Sequence, residues 1–187
     1  VGGLLSLTIA AALLLRQRDY KRMLAYSSIE HMGLLSLGAA VGGSLALTAV
    51  LLHMLGHGLT KASLFVVSGR LLATEGSTII SDVRGLLTRR PGLAVPWLVC
   101  MAALLGFPPF SLFFSEVGII VAGWTAGMGV VMGLALLLLL VLFASLARLT
   151  MSMAFGTENA QADLGVDVSR SDHGTRLPIV LALGATG

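Results

Sequence analysis

The chain has 187 residues and a mean hydropathy of +0.94, with 56% hydrophobic and only 11% charged residues. An ordinary soluble domain carries about 25% charged residues, so this composition excludes a soluble globular enzyme and an intrinsically disordered chain. The net charge is +3, and the single cysteine, Cys100, excludes a disulfide framework and a multi-cysteine metal site. The composition predicts an all-α integral membrane protein.

Apolar stretches of membrane-spanning character follow one another along the chain. A spanning helix needs about 20 mostly apolar residues. The predicted segments are 1–15, 23–41, 45–72, 93–123, 126–150 and a last one from 178. Because both chain ends interrupt apolar segments, we expect a piece of a longer protein. We divide it into a membrane helix bundle at 1–156, a polar cytoplasmic connection at 157–176 and the start of a truncated transmembrane helix at 177–187.

Basic residues occur in alternate connections only. The connections at 42–44 and 124–125 carry neither Lys nor Arg, whereas the others contain or border Arg16, Arg18, Lys21, Arg22, Arg70, Arg84, Arg89, Arg90, Arg148, Arg170 and Arg176. Cytoplasmic loops of membrane proteins carry an excess of Lys and Arg. We interpret the bias as a topology signal rather than as a specific lipid or nucleic-acid site, and it predicts that the basic connections are cytoplasmic.

Ionisable residues occur inside the predicted membrane helices, where each costs about 2.5–3.5 kcal/mol at mid-depth. His53, His57 and Lys61 follow one another at intervals of four residues. This spacing puts them on one helix face, as a ladder about 12 Å tall. Segment 23–41 contains Glu30 and His31, which are adjacent and therefore on different faces. We interpret His31, taken alone, as a satisfied core histidine.

Segment 93–123 is interrupted by a helix-breaking sequence. Gly106, Pro108 and Pro109 open the hydrogen-bond ladder inside the apolar run, and Glu116 follows within two turns. Exposed backbone at membrane depth is tolerated only where it is buried in protein or lines a wet cavity. Broken helices of this kind mark ion and substrate sites in transporters. The break therefore predicts a functional site rather than an ordinary proline kink.

Two kinds of chemistry fit these residues. Lys, His and Glu side chains that are removed from bulk water can exchange protons near neutral pH, so a chain of them can act as a proton wire. His53 and His57 could instead form a metal pair. The zinc-protease pattern requires Glu beside the first His, where this chain has Met54, and the sequence places no Cys, Asp or third His nearby. A membrane-embedded metal hydrolase is therefore the distant alternative.

Three motifs carry a family resemblance. They are DYKRMLAYSSIEHMG at 19–33, HMLGHGLTKASLF at 53–65 and GFPPFSLFFSE at 106–116. Together they resemble the antiporter-like membrane subunits of respiratory complex I and of Mrp cation/proton antiporters. SSIEHMG and the Glu of FFSE are most similar to the hydrogenase-four and formate hydrogenlyase branch. The resemblance implies inverted helix repeats with one broken helix each, of which this chain would cover the second.

The resemblance also implies residue roles. Lys61 corresponds to the central proton-carrying lysine, Glu116 to the terminal site towards the outside, where some members have Lys, and Lys21 to the cytoplasmic mouth. The residues so assigned to proton transfer are Lys61, His57, His53, Glu116, Glu30 and Lys21.

The predicted function is a proton-translocating, non-catalytic subunit of a redox-driven complex in a prokaryotic inner membrane, crossing it several times. Electron transfer would occur in partner subunits, hydrogenase or dehydrogenase, because nothing in the sequence is typical of a cofactor site, and no metal or cofactor is expected on this chain. The alternative is an Mrp-like sodium/proton antiporter subunit with the same fold. Neighbouring genes for a hydrogenase would favour the subunit of a redox-driven complex over the antiporter subunit.

The charge bias generates a prediction about topology. The region 84–90 is expected to be cytoplasmic and 42–44 to lie outside. Cysteine labelling of single-site variants in sealed vesicles measures this orientation. Labelling of a cysteine at Ser44 from the cytoplasmic side alone would overturn it.

Overall fold

The computed structural model describes residues 1–156, and these residues form helices joined by short connections. The helices are α1 (Gly2–Leu15), α2 (Tyr20–Val41), α3 (Gly43–Glu75), α4 (Leu86–Arg89), α5 (Pro91–Leu104), α6 (Ser111–Thr125) and α7 (Gly129–Phe155). The all-α prediction is confirmed over this range. The connection predicted at 157–176, the helix start at 177–187, and Arg170 and Arg176 lie outside the described residues.

The predicted segments and the helices differ mainly at their ends. Predicted segment 45–72 lies within α3, which extends to Glu75, where Gly76 ends the helix in a left-handed conformation. Predicted segment 93–123 is divided into α5 and α6, as the Gly-Pro sequence indicated. The short helix α4 was not predicted, because a single turn has too few residues to show a periodic pattern.

The bundle carries many large apolar side chains on its outside, and several polar side chains lie within it. By length and composition, α3 and α7 could each cross a membrane, and α1, α5 and α6 are shorter apolar helices. On α3, Leu55 is 68% and Leu59 72% exposed, whereas His53 on the same helix is fully buried. This arrangement suits a hydrocarbon solvent, in which exposed Leu costs nothing and polar groups need partners within the protein.

Helix packing creates one main apolar core. Helix α1 packs on α2 and α7, and α3 packs on α2, α5 and α6. Trp97 of α5, 1% exposed, meets the ring of Tyr20 edge-on, with centroids 5.7 Å apart. Because α2, α3 and α6 contact one another, residues that are far apart in sequence face a shared interior.

The basic connections meet at one end of the bundle, which we call the basic end. The N–H of Ile80 donates to the carbonyl of Arg18 at 2.8 Å, and the Thr78 hydroxyl donates to Asp19 at 2.6 Å. Glu75 accepts hydrogen bonds from Arg89 and Arg90 at 2.9 and 2.7 Å. The connections between α1 and α2 and between α3 and α5 are therefore tied to one another.

Asp19 is the N-cap of α2 and lies outside the membrane-spanning segments. Its side chain accepts from the backbone N–H groups of Lys21 and Arg22. Burial acts to raise the pKa of the Asp19 carboxyl, but the hydrogen bonds from Thr78, Arg22 and Lys21 outweigh it, so the pKa lies below its ordinary 3.8. The folded protein thus binds this proton more weakly than the unfolded chain, and the carboxylate stabilises the fold above pH 3.8.

We expect Asp19→Ala to lower the free energy of unfolding by about 1 kcal/mol, the usual effect of a lost N-cap. Thermal unfolding in detergent at pH 7 measures the loss, with Asp82→Ala as the control at the same end. The difference between wild type and Asp19→Ala should shrink as the pH falls through the lowered pKa of Asp19. Equal melting temperatures of the two proteins at pH 7 would contradict this role.

Candidate proton-transfer site

The break between α5 and α6 is a short turn around Gly106. Helix α5 ends at Leu104, and Gly106 has a φ of +68°, a left-handed value that favours glycine. A Cβ atom on Gly106 would lie 2.7 Å from Oε2 of Glu116, so glycine is also required for space. The carboxylate of Glu116 therefore lies directly against the broken backbone.

Lys61 is buried between α2 and α3. Its side chain is 6% exposed and donates hydrogen bonds to the carbonyl of Leu24 and, at 2.6 Å, to the hydroxyl of Ser27. The Ser27 hydroxyl itself donates to the Leu24 carbonyl at 3.0 Å. In residues 1–156 the ion pairs found all involve Glu75, so Lys61 is held by neutral oxygen acceptors.

Three histidines form the centre of the site. His31 Nδ1 and His53 Nε2 are 3.0 Å apart, within hydrogen-bond distance. The ring centroids of His31 and His57 are 4.5 Å apart, and those of His53 and His57 are 6.3 Å apart. His31 is 1% exposed. His31, expected as a core histidine, is thus buried, and its ring also contacts both histidines of α3, which its position in the sequence did not indicate.

Ser115 lies on the other side of the His53 ring. Its hydroxyl is 2.8 Å from the carbonyl of Leu112, and its oxygen is 2.9 Å from Nδ1 of His53. Both ring contacts of His53 can run in either direction, because the donor nitrogen of each ring depends on its tautomer. Nε2 of His31 is buried and has no hydrogen-bond partner within residues 1–156.

Two carboxylates lie beside the histidines. Glu30 of α2 is 5% exposed, and its Oε2 has no hydrogen-bond partner among the described residues. Glu30 and Glu116 both line a cavity of about 680 Å³, whose other walls are mostly apolar side chains of α5, α6 and α7. One ligand atom each of His31, His53 and Glu116 lies within 4.8 Å of the others. Glu30 and Glu116 are the ionisable residues of the cavity lining.

The structure brings together five of the six residues assigned from the sequence, namely Lys61, His57, His53, Glu116 and Glu30. Lys21 is not among them. It is exposed in the first turn of α2, and within the described part of the chain its side chain has no hydrogen bond or ion pair. Pro108 and Pro109 lie in the turn that separates α5 from α6.

Sequence reasoning missed His31, Ser27 and Ser115 as members of the site. Periodicity along one helix cannot show which residues of other helices face it. The argument that no third histidine lies near His53 is also wrong, since His31 and Glu116 approach it from α2 and α6. Both ring nitrogens of His53 are within hydrogen-bond distance of His31 and Ser115, so a metal ion bound to His53 would displace one of these contacts.

Comparison with known proteins identifies the family of this chain. Residues 1–147 match the family described as NADH:quinone oxidoreductase/Mrp antiporter, TM. A hydrogenase-4 component F homolog from Methylacidiphilum infernorum is 41% identical over 114 residues, which are 61% of this chain and 24% of that protein. The chain thus spans about a quarter of that relative's length.

Solved structures show the same fold. A chain of an archaeal membrane-bound sulfane sulfur reductase matches 87% of this chain with a TM-score of 0.75 and 31% identity, and 35% of that chain is covered. A chain of the Mrp complex from Dietzia sp. DQ12-45-1b matches 83% with a TM-score of 0.76 and 24% identity, and 30% of it is covered. The chain therefore belongs to the NADH:quinone oxidoreductase/Mrp antiporter family and is an antiporter-like membrane subunit.

Proposed function

We propose that this chain belongs to a proton-translocating subunit of a redox-driven membrane complex of the hydrogenase-four, formate hydrogenlyase or complex I type. It crosses a prokaryotic inner membrane several times and corresponds to the second inverted repeat of the antiporter-like fold. The chain holds no cofactor of its own. Hydrogenase or dehydrogenase subunits of the complex carry out electron transfer, and other membrane subunits flank this one.

A row of ionisable side chains, buried except for the half-buried Glu116, carries this proposal. Lys61 lies one turn from His57, whose ring contacts His31, and His31 is within hydrogen-bond distance of His53. Glu116 follows next to His31 and His53. Each member is a residue type that can gain and lose a proton, and neighbours that are this close change each other's proton affinity. A proton can therefore move along the row in short steps.

The row lies at mid-membrane, away from both ends of the bundle. Lys61 is 14 residues before the end of α3 at Glu75, about 21 Å from the basic end at 1.5 Å rise per residue. Glu116 is nine residues before the end of α6 at Thr125, about 14 Å from the opposite end. We assign entry to the basic end, where Lys21 lies, and release to the opposite end beyond Glu116.

A sodium/proton antiporter subunit of the Mrp kind is the second candidate. Glu30 and Glu116 line the same cavity, and carboxylate oxygens are ligands that hard cations prefer. The two candidates differ in one measurement, which is whether proton movement by the full-length protein in vesicles requires sodium. Proton movement that depends on the redox donor and does not require sodium supports the first candidate, the subunit of a redox-driven complex.

The role of Lys61 can be tested in the full-length protein within its complex. We expect Lys61→Ala to reduce donor-driven proton translocation in vesicles by at least about tenfold, a barrier increase of roughly 1.4 kcal/mol, with the complex still assembled. Lys61→Arg should also impair it, because Arg keeps its proton at any accessible pH. Ser63→Ala, exposed half a turn away on α3, is the matched control. Normal proton translocation in Lys61→Ala would reject the relay role.

Glu116 offers a test that separates titration from packing. Gln keeps the size and hydrogen-bonding reach of Glu but cannot cycle a charge, so Glu116→Gln should strongly lower proton translocation, while Glu116→Asp should retain part of it. Glu75→Gln removes a carboxylate that pairs with arginines at the basic end and serves as the control. Full translocation in Glu116→Gln together with a lowered melting temperature would leave Glu116 as a structural residue.

A further inference from the structure

We propose that a cleft at the basic end binds the phosphate headgroup of an anionic phospholipid. The cleft encloses about 840 Å³ between the end of α1, the α3–α4 connection and the last turns of α7. Its polar lining includes Arg16, Arg18, Arg84 and Arg148, and its apolar lining includes Leu15 and Leu149. The four guanidinium groups come from three separate parts of the chain.

Within residues 1–156, no acidic side chain neutralises the charge of this cleft. None of its lining residues is Asp or Glu. Elsewhere at the basic end, Arg89 and Arg90 are both paired with Glu75. Within residues 1–156 no such pair involves an arginine of the cleft, and the buried Nε of Arg84 lacks an acceptor. A topology signal requires only that the arginines lie on one side of the membrane. Their convergence in a single cleft therefore indicates a binding site for an anion.

The cleft is built from parts that are fixed to one another. Arg18 is held through its carbonyl, which accepts from Ile80 N–H at 2.8 Å. Arg148 donates from Nη2 to the carbonyl of Leu15 at 3.2 Å, which satisfies a free carbonyl at the C-terminal end of α1. The backbone of Arg18 and the guanidinium of Arg148 are therefore held in place, which lowers the ordering required there when an anion binds.

The apolar part of the lining favours a lipid over a free phosphate. Leu15 at the end of α1 is 51% exposed, and Leu13 on the same helix is 39% exposed. The cleft thus lies at the border between the apolar surface of α1 and the arginines of the basic end. Basic pockets at this depth between membrane helices suit phospholipid headgroups, because arginine binds phosphate oxygens in a bidentate way and the acyl chains can follow the apolar helix.

The proposal is tested with the full-length protein in its complex, delipidated in mild detergent and titrated with phosphatidylglycerol or phosphatidylcholine in mixed micelles. Binding is measured by retained lipid after gel filtration. We expect phosphatidylglycerol to bind and phosphatidylcholine not to. Arg16→Gln with Arg18→Gln should weaken binding by roughly tenfold or more, because each lost guanidinium removes charge-assisted hydrogen bonds to the phosphate. Arg84→Gln alone should weaken it by about fivefold or more for the same reason.

The matched control is Arg22→Gln with Arg70→Gln, which removes two exposed charges outside the cleft lining and should leave binding within about twofold. Equal losses in both double variants would overturn the proposal in favour of general charge attraction. Displacement of the lipid by millimolar inorganic phosphate would show a free-phosphate site instead. Lipid binding that appears only after the acidic residues of 157–176 are neutralised would show that this segment, not a lipid, occupies the cleft.

Discussion

A polar side chain inside a hydrocarbon layer must find its partners within the protein, and this requirement shapes the whole bundle. Lys61 meets it with the carbonyl of Leu24 and the hydroxyl of Ser27. His53 meets it with His31 on one side of its ring and Ser115 on the other. The helices α2, α3 and α6 must therefore pack around these groups, while other side chains of α3, such as Leu55 and Leu59, face outwards.

The broken helix is the second consequence of this requirement. An unbroken helix at 93–123 would have satisfied its own backbone hydrogen bonds, but it would have contained no turn against which Glu116 could lie. The turn at Gly106 leaves room for the carboxylate because that residue has no side chain. A Cβ atom on Gly56 of α3 would collide with Ser111 at the start of α6, so the absence of a side chain there lets α6 approach the histidines. The site thus depends on two glycines, which have no functional side chain of their own.

Periodicity and helix-breaking residues in the sequence predicted part of the site. Spacing alone placed His53, His57 and Lys61 on one face, and the glycine and prolines of 106–109 located the break. Spacing could not show that His31 lies between His53 and His57, because the rotation of α2 relative to α3 follows from packing of the whole bundle. Ser27 and Ser115 gave no signal for the same reason, as serine is common in helices of membrane proteins.

The central claim is that protons pass along one connected row, in which His31 joins the residues of α3 to Glu116. His31→Phe keeps an aromatic ring of similar size but removes both nitrogens, so it breaks the contact with His53 without emptying the space. Donor-driven proton translocation by the assembled full-length complex in sealed vesicles is the decisive measurement. The account predicts a fall of at least about tenfold in translocation per electron pair, corresponding to roughly 1.4 kcal/mol in the barrier. Unchanged translocation in His31→Phe would contradict it.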